Sequence, residues 1–307
     1  GGDMRIFMTG ATGYIGGSVA SRLVSAGYAV RGLVRSVSRA DEARKKGIEP
    51  VIGTLDDAEI LGQAVREADA VINAADSDHR GAVVTMLAAL EGSGKLFIHT
   101  SGSSIVGTQA GGEPVDNVFD EDTSFSPSPG RVDRVGINKQ ILEAADQNIH
   151  TVILCPSLIY GIGRGVSLDS MQVPWLINVA KKYGGAKHIG SGGNRWSNVH
   201  IDDLVDLYLL AMDKAPPGSF YFVENGENSM RDVCGAINRA MGVAEDPGRM
   251  TIEEASEEWG EGAAINTMGS NSRVRAKRAR AELAWDPSAL SLIEEIEHGC
   301  YTGQIGR

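Results

Sequence analysis

The stretch that most constrains this chain is Thr9-Gly10-Ala11-Thr12-Gly13-Tyr14-Ile15-Gly16, which follows the apolar run Arg5-Ile6-Phe7-Met8 and opens a helical pattern. A buried strand that ends on glycine and turns straight into a helix leaves peptide N–H groups bare where side chains would otherwise stand. Gly10 and Gly13 let the backbone approach a pyrophosphate, with Thr12, Tyr14 and Ile15 beside it. The helix N-terminus adds partial positive charge, and Gly16 lets the helix pack close to the sheet. The helix predicted from Tyr14 to about Ala26 carries Ile15, Val19, Leu23 and Val24 on one period; Gly27 ends it, and residues 29–34 read as the next strand. In that strand–turn–helix context the glycines mark a dinucleotide site.

The alternation continues. Residues 49–52, 70–73, 95–100 and 151–155 read as strands, with helices predicted over 57–68, 82–91 and 137–147. Apolar strands separated by helices predict an α/β fold, a Rossmann-type doubly wound parallel sheet with right-handed crossovers. From about Gly161 the alternation fades. Helices near 171–183, 202–213 and 230–241, with a short strand at 219–223, predict a smaller C-terminal substrate-binding lobe. The expected division is a dinucleotide-binding domain over 4–160 and a mainly substrate-binding lobe over 161–307, with segments at about 199–225 returning to the first. Residues 107–131 are polar and carry Pro114, Pro127 and Pro129; a connection this long is expected to be functional or mobile, as a lid would be.

Composition narrows the partners. The net charge of −11 argues against nucleic acid or an anionic membrane, both of which are held through excess Lys and Arg. The basic run over 273–280 reads as a solvated helix face rather than a polyanion site. No apolar run approaches the ~18 residues of a membrane span, and the N-terminus lacks a secretory profile, so the expected location is cytoplasmic. Gly1-Gly2-Asp3 before Met4 reads as a cleavage scar. Cys155, Cys234 and Cys300 are odd in number and far apart, as reduced thiols are, and the six histidines form no ligand pair; no metal is expected.

The end of the second strand selects the dinucleotide. An NAD site places Asp or Glu there for the ribose 2′-hydroxyl; an NADP site places a cation for the 2′-phosphate. This chain has Val34-Arg35-Ser36, with Arg39 nearby. Arg35 offers a bidentate phosphate contact and Ser36 a further donor, so the expected cofactor is NADP(H).

The opening motif resembles the extended short-chain dehydrogenase/reductase superfamily, the group of NAD-dependent epimerase/dehydratases. Leu55-Asp56 resembles its adenine-contacting turn, and Asn73-Ala74-Ala75, with Thr100 further on, its cofactor wall. Pro156-Ser157-Leu158, running on to Gly161, resembles its loop beside the nicotinamide. Residues 192–203 look like the segment lining the substrate pocket, and 283–287 like the closing motif. The resemblance implies a lysine helix, on which Lys139 and Glu143 fall at the family's positions. It also implies a tyrosine four residues earlier, where Val135 stands. Aligned by Ile105-Val106-Gly107, the family's serine becomes Gly102, with Ser101 and Ser103 as neighbouring substitutes. By this resemblance Lys139 holds the nicotinamide ribose, and the substrate pocket draws on Asn138, Tyr160, Arg195 and Trp196, although Tyr160 in its apolar run reads more strongly as core.

The missing tyrosine has a chemical consequence. General acid catalysis is worth ~10²–10⁴-fold in rate. A substrate that brings its own acid, a conjugated acceptor whose product anion is delocalised, or another side chain (Ser101, Ser103, Asn138, Tyr160 or His188) would tolerate the loss. The expected activity is that of an NADPH-dependent carbonyl reductase acting by direct hydride transfer on a hydrophobic, conjugated or hydroxy-aromatic ketone. Two alternatives stand beside it: a non-catalytic NADP(H)-binding sensor, and an NAD-dependent sugar-nucleotide epimerase or dehydratase. The expected partner is a small-molecule substrate, and the expected assembly a monomer or homodimer.

Overall fold

In a computed structural model of the protein, residues 4–306 are described, and the Gly1-Gly2-Asp3 read as a scar lies outside them. The first half alternates strand and helix: β1 (Arg5–Thr9), α1 (Tyr14–Ser25), β2 (Ala29–Val34), α2 (Val37–Lys45), β3 (Glu49–Ile52), α3 (Ala58–Glu67), β4 (Ala70–Asn73), α4 (Arg80–Leu90) and β5 (Leu96–Thr100). A two-residue strand β6 (Thr108–Gln109), α5 (Val132–Glu143) and β7 (His150–Pro156) follow. Strand β8 (Leu158–Tyr160), α6 (Gln172–Tyr183), β9 (Lys187–Ile189) and β10 (Arg195–His200) lead to α7 (Ile201–Lys214) and β11 (Ser219–Val223).

The central sheet has seven parallel strands in the order β11-β7-β5-β4-β1-β2-β3. Its strands are apolar on both sides because both sides are covered. Along β1, Ile6 and Met8 enter the core shared with α1, α2 and α7, while Phe7 enters the opposite core with α3, α4 and α5. Along β5, Ile98 and Phe97 divide the same way. From β1 the chain steps to β2 on one side, and β4 later takes the other. That reversal opens a crevice at the carboxyl ends of the strands, where such sheets bind ligands.

The remainder comprises β12 (Glu227–Ser229), α8 (Met230–Met241), β13 (Gly248–Met250), α9 (Ile252–Trp259), α10 (Glu261–Ala263), β14 (Ser270–Asn271), α11 (Lys277–Leu283), α12 (Leu292–His298) and α13 (Thr302–Ile305). With β8, β10, α6 and β9 these elements form a second lobe around Leu176, Trp196, Ile237 and Ile296. Helix α7 packs on α1 and β11 closes one edge of the central sheet, so residues 201–223 do return to the first lobe.

Two expectations are corrected by packing. The connection at 107–131 is fastened rather than free: β6 pairs with β14, Phe119 bridges Val274, and Glu121 accepts from the backbone N–H groups of Phe222 and Arg278. The basic run at 273–280 is taken up by carboxylates rather than left to solvent. Arg273 and Arg275 meet Glu227, Lys277 and Arg278 meet Asp122, and Arg280 meets Glu224. Among the described residues no helix is long and apolar enough to cross a membrane.

Candidate active site

The glycine turn is built so that nothing but backbone can occupy it. Gly10 has φ +68°, and a Cβ there would stand 2.4 Å from the carbonyl oxygen of Ala74. Gly16 is equally confined, since its Cβ would stand 2.0 Å from the carbonyl oxygen of Gly10. Gly13 caps α1 without any side-chain hydrogen bond, and the first turn carries no acidic residue, so that helix end is open to an anion. Thr9 fixes the adjoining strand end: its Oγ1 accepts from the N–H groups of Ala74 and Ala75 at 3.1 and 3.2 Å and donates to Asn73 Oδ1.

These elements enclose a cavity of about 450 Å³ lined by Gly10, Thr12 and Gly13, by Arg35, Ser36 and Arg39 after β2, by Gly53, Thr54 and Leu55 after β3, and by Ala75 and Ser167. No carboxylate residue is among its lining residues. Arg35 is exposed, and no salt bridge to it is found among the described residues. Arg39 is held by Glu42 at 2.9 Å. Ser36 caps α2, accepting from Arg39 N–H at 3.2 Å, so a second helix N-terminus opens beside Arg35. Residues following Gly161 close the opposite side: Tyr14 Oη donates to the Gly161 carbonyl, and Ser167 Oγ to that of Thr12.

The structure separates the expected cofactor residues. Gly10, Thr12, Gly13, Arg35, Ser36, Leu55 and Ala75 converge on the cavity. Asn73 instead links Thr9 to His99 inside the sheet, 3.0 Å from His99 Nδ1. Asp56 turns to solvent and meets His79 Nε2 at 2.8 Å. His79 Nδ1 accepts from Ala82 N–H, which puts its ring proton on Nε2 and makes it the donor to Asp56. Thr100 bonds Tyr208, and Ser157 Oγ donates to the Val223 carbonyl at 2.8 Å. Pro156 ends β7, and Leu158 is buried in the second lobe.

At the other end of the crevice, α5 presents a different stripe from the expected one. Lys139 is 77% exposed and lies 3.9 Å from Glu143, its own helix neighbour; it does not reach Ser101. Val135 packs with Phe119, Phe125 and Phe220, so a tyrosine there would enter that aromatic cluster. The inner stripe is Arg131, Arg134 and Asn138, spaced as one helix face requires. Asn138 Nδ2 donates to Ser101 Oγ at 2.9 Å. Arg134 grips Asp78 through Nε and Nη2 at 2.9 and 2.8 Å, and its Nη1 lies 3.3 Å from Ser104 Oγ. That same Nη1 would be 3.3 Å from a Cβ on Gly102, the position of the family's serine. Arg131 Nε donates to Ser104 Oγ at 2.8 Å. The cation at this end is therefore Arg134 rather than Lys139.

The surroundings titrate accordingly. Hydrogen bonds from Arg134 hold the Asp78 carboxyl below its usual range. Burial, reinforced by the Arg134 charge, pushes His99 down to about 4, so it stays neutral. Burial also lowers Arg131, with Arg134 adding to the effect.

The expected substrate residues are mostly structural. Ser103 is 1% exposed and bonded to Ser272. Tyr160 Oη donates to the Leu290 carbonyl, with its ring edge-on to His200. Trp196 Nε1 donates to the Ser270 carbonyl from a site 4% exposed. His188 is buried with Nδ1 3.1 Å from the Gly190 carbonyl. Arg195 is clamped by Glu227 at 2.9 Å. Desolvation opposes the charge on Glu227, yet hydrogen bonds from Arg273, Arg195 and Arg275 prevail and bring it down to about 2. Sequence reasoning missed Arg134, Asp78 and Ser104; the one available signal was the i, i+3, i+7 spacing of Arg131, Arg134 and Asn138.

A glycine cradle at the switch point of a doubly wound sheet, with a basic rim after β2, defines a Rossmann-fold nucleotide-binding enzyme. The chain belongs to the NAD-dependent epimerase/dehydratase family, whose profile matches residues 6–223, and is an oxidoreductase-type member of the short-chain dehydrogenase/reductase superfamily. It is 32% identical to the oxidase ucsJ of Acremonium sp over 95% of each chain. It is 26% identical to the 4-hydroxy-2-methyl-3-oxo-4-farnesyl-3,4-dihydroquinoline-1-oxide ketoreductase of Stigmatella aurantiaca, over 82% of this chain and 78% of that one. Among solved structures it superposes on the dTDP-glucose 4,6-dehydratase of Bacillus anthracis, in complex with NAD, with a TM-score of 0.77 at 17% identity. That match covers 99% of this chain and 96% of the other, and it shows the shared fold.

Proposed function

We propose that the protein is an NADPH-dependent carbonyl reductase acting on a hydrophobic, conjugated or hydroxy-aromatic ketone. The observation that carries this reading is the cavity in which Arg35 and the capped start of α2 stand where an NAD site has a carboxylate. The residues fit the cofactor because Gly10 and Gly16 leave a backbone cradle that any Cβ would fill. Gly13 and the first turn of α1 would hold the pyrophosphate, Leu55 and Ala75 would flank the adenine, and Arg35 with Ser36 would hold the 2′-phosphate. When bound, the cofactor supplies the hydride.

The chain's own residues then handle charge. Arg134, fixed by Asp78 above Gly102, provides positive field where negative charge develops on the substrate oxygen. A guanidinium stays protonated throughout, so Arg134 stabilises an alkoxide without readily protonating it. Ser101, held by Asn138, is the hydroxyl available to position the carbonyl. The proton comes from the substrate's own acidic hydroxyl, or is not needed at once because the anion is delocalised. The names of the relatives, an oxidase and a ketoreductase of an oxo-dihydroquinoline, support redox chemistry on such compounds. The outward-facing Lys139 and the valine at 135 count against an epimerase, which needs reversible proton exchange at an alcohol.

Single-turnover absorbance at the reduced-nicotinamide band tests the reading. Oxidation of bound NADPH by hydroxy-naphthoquinones or β-diketones is expected. Tight binding without oxidation across ketones, enones and quinones would replace the reductase with a sensor.

A further inference from the structure

At the β11 edge of the central sheet, α5, β11 and residues 120–125 enclose a cavity of about 530 Å³ that shares no lining residue with the dinucleotide cavity. Its walls are Ile105, Phe125, Val135, Leu142, Phe220 and Phe222, an apolar and aromatic surface. Asp120, Glu121, Glu143 and Asp146 also line it, against only Lys139 and Arg278. Both cations are already engaged, Lys139 with Glu143 and Arg278 with Asp122. The surroundings therefore favour a positive guest over a negative one.

A polar atom inside this cavity lacks a partner. Asn138 lines the cavity, is 5% exposed, and its Oδ1 makes no hydrogen bond. The orientation of the amide is argued by its neighbours: Ser101 is hydrogen-bonded to Cys155, and Asn138 Nδ2 donates to the Ser101 hydroxyl oxygen. With the serine proton directed to sulfur, the nitrogen side of the amide faces Ser101 and the oxygen is left for another donor. A buried amide oxygen left unpaired is unfavourable, and a ligand N–H or O–H removes that penalty.

We propose that this cavity is a second small-molecule site, taking an aromatic molecule that carries one hydrogen-bond donor and a cationic group. The ring lies among Phe125, Phe220 and Val135, the donor meets Asn138 Oδ1, and the cation meets the carboxylates. Because the same amide holds Ser101, occupancy of this site fixes the hydroxyl at the far end of the dinucleotide crevice. The inference does not depend on the reductase reading and stands or falls separately from it.

Calorimetric titration of the full chain with tryptamine, and with indole-3-acetate as the anionic counterpart of the same ring, tests it in the presence and absence of NADPH. Tryptamine is expected to saturate with a Kd below about 1 mM and to bind about fivefold or more tighter than indole-3-acetate. NADPH should not displace it. The double variant Glu143→Lys/Asp146→Lys changes exposed charges only and should weaken tryptamine about fivefold or more. Val135→Trp fills the cavity and should abolish binding. No saturation by about 10 mM, equal affinity for the two indoles, displacement by NADPH, or unchanged affinity in both variants would each overturn the proposal.

Discussion

Which residue supplies the positive charge at the catalytic end is decided by one step of helix rotation. Successive helical positions point about 100° apart, so residues 134 and 135 cannot face the same way. Arg134 and Asn138 face Ser104 and Ser101, whereas Val135 and Lys139 face the cavity behind the helix. Removing the guanidinium in Arg134→Gln is expected to lower kcat by ~10–10²-fold with little change in NADPH affinity, while Lys139→Ala stays within about twofold; steady-state kinetics on both variants decides. A tenfold loss on Lys139→Ala would restore the register that the sequence suggests. That register was not legible because the tyrosine that normally fixes it is absent, and Lys139 with Glu143 imitates the family's spacing without it. A second residue effect concerns His99, whose native value of about 4 lies below its ordinary 6.5. Between those values the unfolded chain binds a proton that the native protein refuses, so stability falls with pH, by ~3 kcal/mol across the full interval. Urea midpoints at pH 7 and pH 4.5 should show that fall, and His99→Gln should flatten it.

At the scale of elements, the strand–turn–helix unit of β1 and α1 was legible because its requirements are steric and local. Gly10 has a positive φ and the Ala74 carbonyl against it, so no other residue serves. Gly10→Ala is expected to reduce dinucleotide binding by at least about a hundredfold while a folded circular dichroism spectrum persists; retained affinity would mean the turn is not the cradle. The strands read from apolar runs also stand where expected, including the return of β11 to the sheet. The connection at 107–131 was not legible as a fastened segment. Its polarity and prolines signal a loop, but Phe119, Phe125 and Glu121 find their partners more than 90 residues away in sequence, on β11 and around Val274. No local pattern encodes such contacts.

For the whole molecule, the division of labour follows from where charge is left uncompensated. Most cations of the second lobe are neutralised by carboxylates: Glu227 gathers Arg195, Arg273 and Arg275, and Asp122 gathers Lys277 and Arg278. Arg35 stands at the mouth of the dinucleotide cavity with no carboxylate among the residues around it. In a protein of net charge −11 that local excess is what makes a phosphorylated dinucleotide the better guest. Calorimetric titration of the wild-type protein and Arg35→Ser with NADPH and NADH tests this most directly. The account predicts that wild type binds NADPH about tenfold or more tighter than NADH and that Arg35→Ser erases the difference. Equal or stronger binding of NADH by the wild-type chain would contradict it.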